Sequence, residues 1–308
     1  MALTYAVLQD FIEMKDLGKS GIVVDMSDKG RTKIEQYLLR ATRYIQRHTR
    51  RDFFPWRETR KYPIPYTFYD LAVRRYPSAH LILDQDLIDV YVLNNGQEDI
   101  DDIYFYPLEL NIKPHYAIAV KFPKYWGGMY GGVTPFTRFD EGLISVDGLW
   151  GYAENTGGWR YPDDFWINTQ FSLTATLSDN STVISIPSLG TQQDVLGEKP
   201  FVAGRLLKIE DEFIEIITDS IDTNTITVRR GARGTTAVEH LSGTLIERWR
   251  VIEDITEACL QIAKTWRESD ISAGGRIGVS DVSPGAELSI PSDPLTILKS
   301  YSRSMILE

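Results

Sequence analysis

The chain has 308 residues and a formal net charge of −10, with 43% hydrophobic and 25% charged residues. This length allows two or three packed units, and the composition is that of a globular protein that can bury a core. The acidic balance argues against tightly held nucleic acid, because phosphate binding needs a basic surface. A single cysteine, Cys259, excludes an internal disulfide, and no stretch has the roughly 20 apolar residues of a membrane span. We therefore expect a protein made and kept in a reducing cytoplasm.

Two amphipathic helices are predicted in the first 51 residues, the second ending before Pro55. The apolar face of the first comprises Val7, Leu8, Phe11 and Ile12. The stripe of the second, at steps of four and three residues, comprises Ile34, Leu38, Ala41, Ile45 and His48.

From Trp56 to Trp150 the pattern changes to strands. Residues 80–96 end in Asn95-Gly96, a dipeptide typical of hairpin turns. Further strands are predicted within 104–111, 116–122 and 142–150, and the glycine-rich, aromatic segment 124–139 is predicted to be a loop.

Residues 155–250 contain six short strand candidates, a pattern that favours a small barrel or sandwich. A third amphipathic helix follows at 251–269, with Ile255, Cys259, Ile262 and Trp266 on one face. Because it lies on that face, Cys259 is expected in the core rather than as a nucleophile. A Gly/Ser/Pro-rich link then leads to a C-terminal arm, residues 283–308, with a short final helix.

The segment RRGARGTTA, residues 229–237, has the glycines of a phosphate-binding loop. It lacks the lysine of such a loop, and a strand follows it instead of a long helix. We therefore expect a turn after a strand, in which glycines adopt backbone angles that other residues avoid.

Catalytic and metal-binding patterns are weak, so no catalytic, metal or cofactor residue is assigned. The histidines, His48, His80, His115 and His240, lie far apart and show no metal-ligand spacing. Asp99, Asp101 and Asp102 resemble a calcium loop only loosely. Asp84 and Asp86 fit either a carboxylate pair for hydrolysis or a turn.

Two segments are candidates for contacts with other proteins. In the aromatic loop, Tyr125, Trp126 and Tyr130 are flanked by glycines and hard to bury locally, whereas Trp150 and Trp166 are expected in a core. In the C-terminal arm, apolar side chains at a chain end favour docking onto a neighbouring subunit or the portal, with local packing as the alternative. The arm's candidate contacts are Leu295, Leu298, Tyr301, Met305, Ile306 and Leu307.

Four segments in this order resemble the head-tail connector, or adaptor, proteins of tailed bacteriophages. The first has Ala41, Ile45, Thr49, Arg51 and Phe53 at the places of the family's helix-to-strand motif. The second is LILDQDLIDVYVLNNG, the third is ISVDGLWGY, and the fourth is the helix EDITEACLQIAKTWRES. In shorter relatives that helix follows the third segment closely, whereas here residues 155–250 intervene, and the run at 210–240 within them resembles small β modules of phage tail-associated proteins.

The resemblance implies an α+β fold. A helical connector domain with a β layer would comprise residues 1–154 and 251–308, and an inserted all-β domain would comprise residues 155–250. It implies a structural virion protein rather than an enzyme, forming a ring, typically dodecameric, in the phage neck. That ring would join the portal to a tail or neck protein and surround viral DNA without binding it specifically. The alternative is a tail-associated protein that binds or degrades glycans through the aromatic loop and the Asp84/Asp86 pair.

Overall fold

The computed structural model describes residues 3–17, 27–62, 80–94, 99–101, 103–106, 114–120, 144–154, 165–275 and 292–303. The fold is α+β, with helices and two antiparallel sheets. The chain divides into two compact units, one formed by Met1–Phe53 with Phe165–Glu308 and the other by Phe54–Asp164. No helix in the described part of the chain is long and apolar enough to cross a membrane.

The helices all belong to the first unit: α1 is Leu8–Leu17, α2 is Asp28–Thr49, α3 is Glu253–Gly275 and α4 is Ser292–Ser300. Ser27 caps the N-terminus of α2, where its hydroxyl accepts a hydrogen bond from the amide of Gly30. Arg50 caps the C-terminus in the left-handed conformation.

The apolar stripe of α2 is confirmed except at its last position. Ile34, Leu38, Ala41 and Ile45 are buried, as are the four predicted residues of α3. His48 is exposed, and the neighbouring Thr49 is buried in its place. The Thr49 hydroxyl donates to the carbonyl of Ile45, which satisfies a polar group inside the helical layer.

The first unit also contains a six-stranded sheet. Its strands are β6 (Trp166–Ser172), β7 (Val183–Ser185), β8 (Leu206–Ile209), β9 (Glu212–Ser220), β10 (Thr225–Arg229) and β11 (Leu245–Trp249). Their order is β6-β11-β8-β9-β10-β7, so the sheet as described stays open and does not close into a barrel. Thirteen buried apolar residues pack as the core of this sheet, among them Ile214, Ile226 and Ile246.

The second unit is built on a five-stranded sheet. Its strands are β1 (Trp56–Tyr62), β2 (His80–Asn94), β3 (Ile103–Tyr106), β4 (His115–Val120) and β5 (Ile144–Trp150), in the order β1-β5-β2-β4-β3. Trp150 is buried there, as predicted, and its indole N–H donates to the carbonyl of Glu58. The predicted turn at Asn95-Gly96 lies outside the described residues.

The compact units differ from the domains expected from the sequence, because the six-stranded sheet groups with the helices. The indole N–H of Trp249 donates to the carbonyl of Phe53 over 2.8 Å. Arg233 pairs with Asp52 at 2.6 Å, and Arg205 approaches Asp10 to 3.4 Å. These bonds tie the sheet region to α1 and to the segment that follows α2. Along the chain, the second unit, Phe54–Asp164, therefore interrupts the sequence of the first.

Residues 292–303 pack onto their own chain, and docking of the rest of the arm onto a neighbouring subunit or the portal stays a prediction. Leu298 is fully buried and Tyr301 is 7% exposed. The Tyr301 ring meets Phe53 edge to face, and its hydroxyl donates to Asp254 over 3.0 Å. A short amphipathic helix gains more from this apolar surface than from water, so the local alternative applies to Leu298 and Tyr301.

Candidate assembly surface

A buried cluster of Glu212, Arg230 and His240 organises the turn that follows β10. The Arg230 guanidinium binds Glu212 with two parallel hydrogen bonds, Nε to Oε1 at 2.7 Å and Nη2 to Oε2 at 2.8 Å. It also donates to the backbone carbonyls of Ser178 and Val238. The side chains of Glu212 and His240 are fully buried, and that of Arg230 is 5% exposed.

The same carboxylate receives further donors, which determine its charge state. Glu212 accepts from the backbone amides of Gly231 at 2.8 Å and Val238 at 3.1 Å. Its Oε2 lies 2.9 Å from Nε2 of His240, whose Nδ1 lies 2.7 Å from Glu210. Burial acts to raise the pKa of Glu212. The hydrogen bonds from Arg230, Gly231, His240 and Val238 outweigh burial and hold the pKa below its ordinary value.

The prediction of a turn at residues 229–237 is confirmed in its backbone. Gly231 has a φ of +54° and Gly234 a φ of +84°. A Cβ added at Gly231 would lie 2.9 Å from the amide nitrogen of Ala237, so only glycine fits there. The neighbouring Arg230 donates its hydrogen bonds to Glu212 and to backbone carbonyls. Its guanidinium is therefore not available to bind a phosphate.

The cluster fixes an exposed apolar segment, residues 238–245, which we call the contact loop. Val238 is held at both its amide and its carbonyl, and His240 exchanges backbone hydrogen bonds with Leu177. The amide of Gly243 donates to Leu173. From this fixed backbone three large aliphatic side chains face solvent: Val238 (46% exposed), Leu241 (65%) and Leu245 (55%).

A second rigid turn, residues 194–198, repeats this design. The Oδ1 atom of Asp194 accepts from the amides of Leu196 and Glu198, and its Oδ2 atom accepts two hydrogen bonds from the buried Arg248. Burial, and then the neighbouring guanidinium of Arg205, lower the pKa of Arg248. The turn presents two exposed aliphatic side chains, Val195 and Leu196. Exposed aliphatic groups on a backbone that needs no further ordering are suited to a protein contact.

Three of the contact residues predicted from the sequence lie within the described residues. Leu298 and Tyr301 are buried in the helical layer, and Leu295 is half-buried in α4. The others lie outside the described residues: Tyr125, Trp126, Tyr130, Met305, Ile306 and Leu307.

The candidate carboxylate pair is split between two environments. Asp84 is exposed and accepts two hydrogen bonds from Arg60 at 3.1 Å and one from Tyr62, whereas Asp86 is 4% exposed. Burial acts to raise the pKa of Asp84, but the hydrogen bond from Tyr62 and the charge of Arg60 lower it. A general acid needs the opposite shift, so this carboxyl is suited to a structural ion pair.

The remaining candidates also lie in structural surroundings. Cys259 is fully buried, 3.7 Å from the Thr42 hydroxyl, and burial raises the pKa of its thiol to about 12. Trp166 is half-buried against Trp249 and Phe213. Within the described residues, no three His, Cys, Asp or Glu side chains are placed to hold a metal ion.

No protein-family model, curated protein or solved structure matches this chain.

Proposed function

We propose that this protein is a structural component of a phage virion that forms a ring in the neck. The ring joins the portal of the DNA-filled head to a tail or neck protein and extends the DNA channel. The observation that carries the proposal is the contact loop, in which three exposed aliphatic side chains lie on a backbone held by the buried cluster at Val238 and His240 and by Leu173 at Gly243. The ordered sequence motifs that resemble connectors supply the virion context.

A closed ring needs two different surfaces on each subunit, because its contacts are head-to-tail. The contact loop and the turn at 194–198 are two separate projections of the six-stranded sheet region, each with exposed aliphatic side chains. Burying an aliphatic side chain contributes about 1.5–3 kcal/mol before ordering costs, and these backbones are already ordered. Such surfaces suit permanent assembly better than a transient encounter.

We also propose that residues 155–250 entered a helical connector frame as an insertion and then became part of its packing. The Arg233–Asp52 and Trp249–Phe53 contacts support the second step. Replacing residues 157–249 with a short Gly/Ser linker should therefore destabilise the helices, instead of leaving them unaffected as an independent inserted domain would. A thermal melt of the deletion variant, monitored by helical circular dichroism, distinguishes the two cases.

The ring is tested by electron microscopy and light scattering on the purified chain, alone and mixed with the portal protein of the same phage. We expect rings, and we expect the double variant Leu241→Asp/Leu245→Asp to remain monomeric with an unchanged fold. The matched control is Ile221→Asp, since Ile221 is 62% exposed outside the contact loop, and it should still form rings.

Two outcomes contradict the proposal. One is a chain that stays monomeric with and without portal and instead binds or cleaves a polysaccharide, which is the glycan alternative. The other is equal loss of rings in the Ile221 control and in the contact-loop variant. That result would contradict the contact loop as the subunit interface, because any added surface charge would then prevent assembly.

A further inference from the structure

The solvent face of α2 carries a regular row of cations. Lys29, Lys33, Arg40, Arg43 and Arg47 are all exposed, and with Gln36 they follow one another at steps of four and three residues. At 100° per residue these positions fall within an arc of about 80°, on the side of the helix opposite its buried stripe. We call these five cations the basic face.

No carboxylate of the described residues forms an ion pair with the basic face. Within the described residues, Lys29, Arg43 and Arg47 have no ion pair, and Arg40 lies 4.5 Å above the ring of Trp266. Residues 28–51 have eight basic and two acidic side chains, a net charge of +6 in a chain of net charge −10. The protein therefore concentrates positive charge on this helix against its overall balance.

The chemistry of the face favours a polyphosphate over a protein surface. Protein interfaces have an apolar core that is depleted in charged residues, whereas this face consists of five long cationic side chains and one amide. From Lys29 to Arg47 the row is about 27 Å long at 1.5 Å per residue. That length approaches one turn of duplex DNA, about 34 Å, along which phosphates repeat continuously.

We propose that the basic face of α2 contacts the phosphate backbone of duplex DNA without reading its sequence. Arginine side chains can bind phosphate oxygens in pairs, and Arg40 is held in place by Trp266. The inference deepens the proposed function, on which it rests, by naming the surface that meets the DNA. The acidic remainder of the chain keeps the contact weak, so that DNA can still move past it.

The test is fluorescence anisotropy of the purified full chain with labelled duplex DNA of about 30 base pairs, roughly three helical turns. Five neutralised phosphates predict a slope of about −4.5 for log affinity against log salt, an affinity loss of about 500-fold between 50 and 200 mM. Two unrelated DNA sequences should give the same affinity.

The variant Lys29→Gln/Arg43→Gln/Arg47→Gln removes three cations that have no ion-pair partner in the part of the chain that the structure describes. Its slope should fall to about −1.8, so that the affinity changes only about 12-fold over the same salt range. The control variant Arg31→Gln/Lys199→Gln/Arg229→Gln removes the same charge away from the basic face and should keep a slope closer to that of the native chain.

Equal slopes for the two triple variants, or no DNA binding by the native chain at low salt, would overturn the inference. If the basic-face variant instead loses self-association and keeps its DNA affinity, the face is a subunit contact and the DNA assignment is wrong. Neither result would contradict the neck ring, which is measured separately by microscopy. Conversely, a native chain that binds DNA but forms no rings would contradict the proposed ring and not the DNA contact.

Discussion

Replacing Arg230 with methionine should be among the most destabilising changes in the six-stranded sheet region. The guanidinium donates five hydrogen bonds, two to Glu212 and three to backbone carbonyls, and its side chain is 5% exposed. Methionine fills similar space but leaves the Glu212 carboxylate buried without its cation. Breaking a buried pair in this way costs about 3–5 kcal/mol. For a unit of this size that is a melting temperature lower by roughly 6–20 °C.

The neighbouring arginine provides the control. Arg229 is 58% exposed and pairs with Glu215, whose side chain is 10% exposed, so only one member of this pair is buried and Arg229→Met should cost less than Arg230→Met. Differential scanning calorimetry and urea unfolding measure both variants. The double variant Arg230→Met/Glu212→Gln removes the uncompensated charge and should recover part of the loss. If Arg230→Met melts within about 2 °C of the native protein, or no more than Arg229→Met, the cluster does not hold the contact loop.

Three further results are expected. The pKa of Glu212 is lowered in the folded state, so its contribution to folding stability is present above the ordinary value of 4.5 and is lost as the pH falls through the folded pKa. Urea unfolding across that acidic range should show a shallower pH dependence in Arg230→Met. Trp266→Ala should cost about 3–5 kcal/mol in a thermal melt. Trp266→Phe should cost clearly less, because the buried indole N–H has no partner within the described residues; equal losses would contradict this. A chain ending at Pro294 loses Leu298 and Tyr301 and should melt several degrees lower, whereas an unchanged melt would favour docking of the arm onto a neighbouring subunit or the portal.

The helices and most strands could be predicted because their signals are local. An apolar residue every three or four positions defines α2 and α3 whatever they pack against, and β-branched runs define the strands of both sheets. The error at His48 and Thr49 shows the limit of this approach. Both positions border the apolar stripe, and the choice depends on the threonine hydroxyl finding a carbonyl within its own helix.

Only part of the candidate site could be predicted from the sequence. The turn at 229–237 could be predicted from its glycines, but the partners of Arg230 lie 18 residues earlier and 8 residues later, at no fixed spacing. Glu212 lies in a strand, and the alternation of apolar and polar residues does not decide which face of the sheet its side chain is on. A buried acid and a buried histidine close together in space are a tertiary property, and sequence periodicity does not report it.

The grouping of the six-stranded sheet with the helices could not be predicted for the same reason. Composition marks residues 155–250 as a separate β run, and that pattern is real. The contacts that join it to the helices involve single side chains, such as Trp249 and Arg233. Nothing in the spacing of those residues distinguishes them from surface positions.

The first unit is assembled from the two ends of the chain, and this has a consequence for its synthesis. The hydroxyl of Thr256 donates to the carbonyl of Tyr5, and Cys259 lies against Leu38, so α2 is covered only when α3 has been made. At about 5–20 residues per second, the ribosome takes roughly 10–40 s to travel from one helix to the other. During that interval the apolar stripe of α2 is exposed on every nascent chain. We expect a trigger-factor-like chaperone to occupy it, and we expect overexpressed protein to aggregate through α2 when chaperones are scarce.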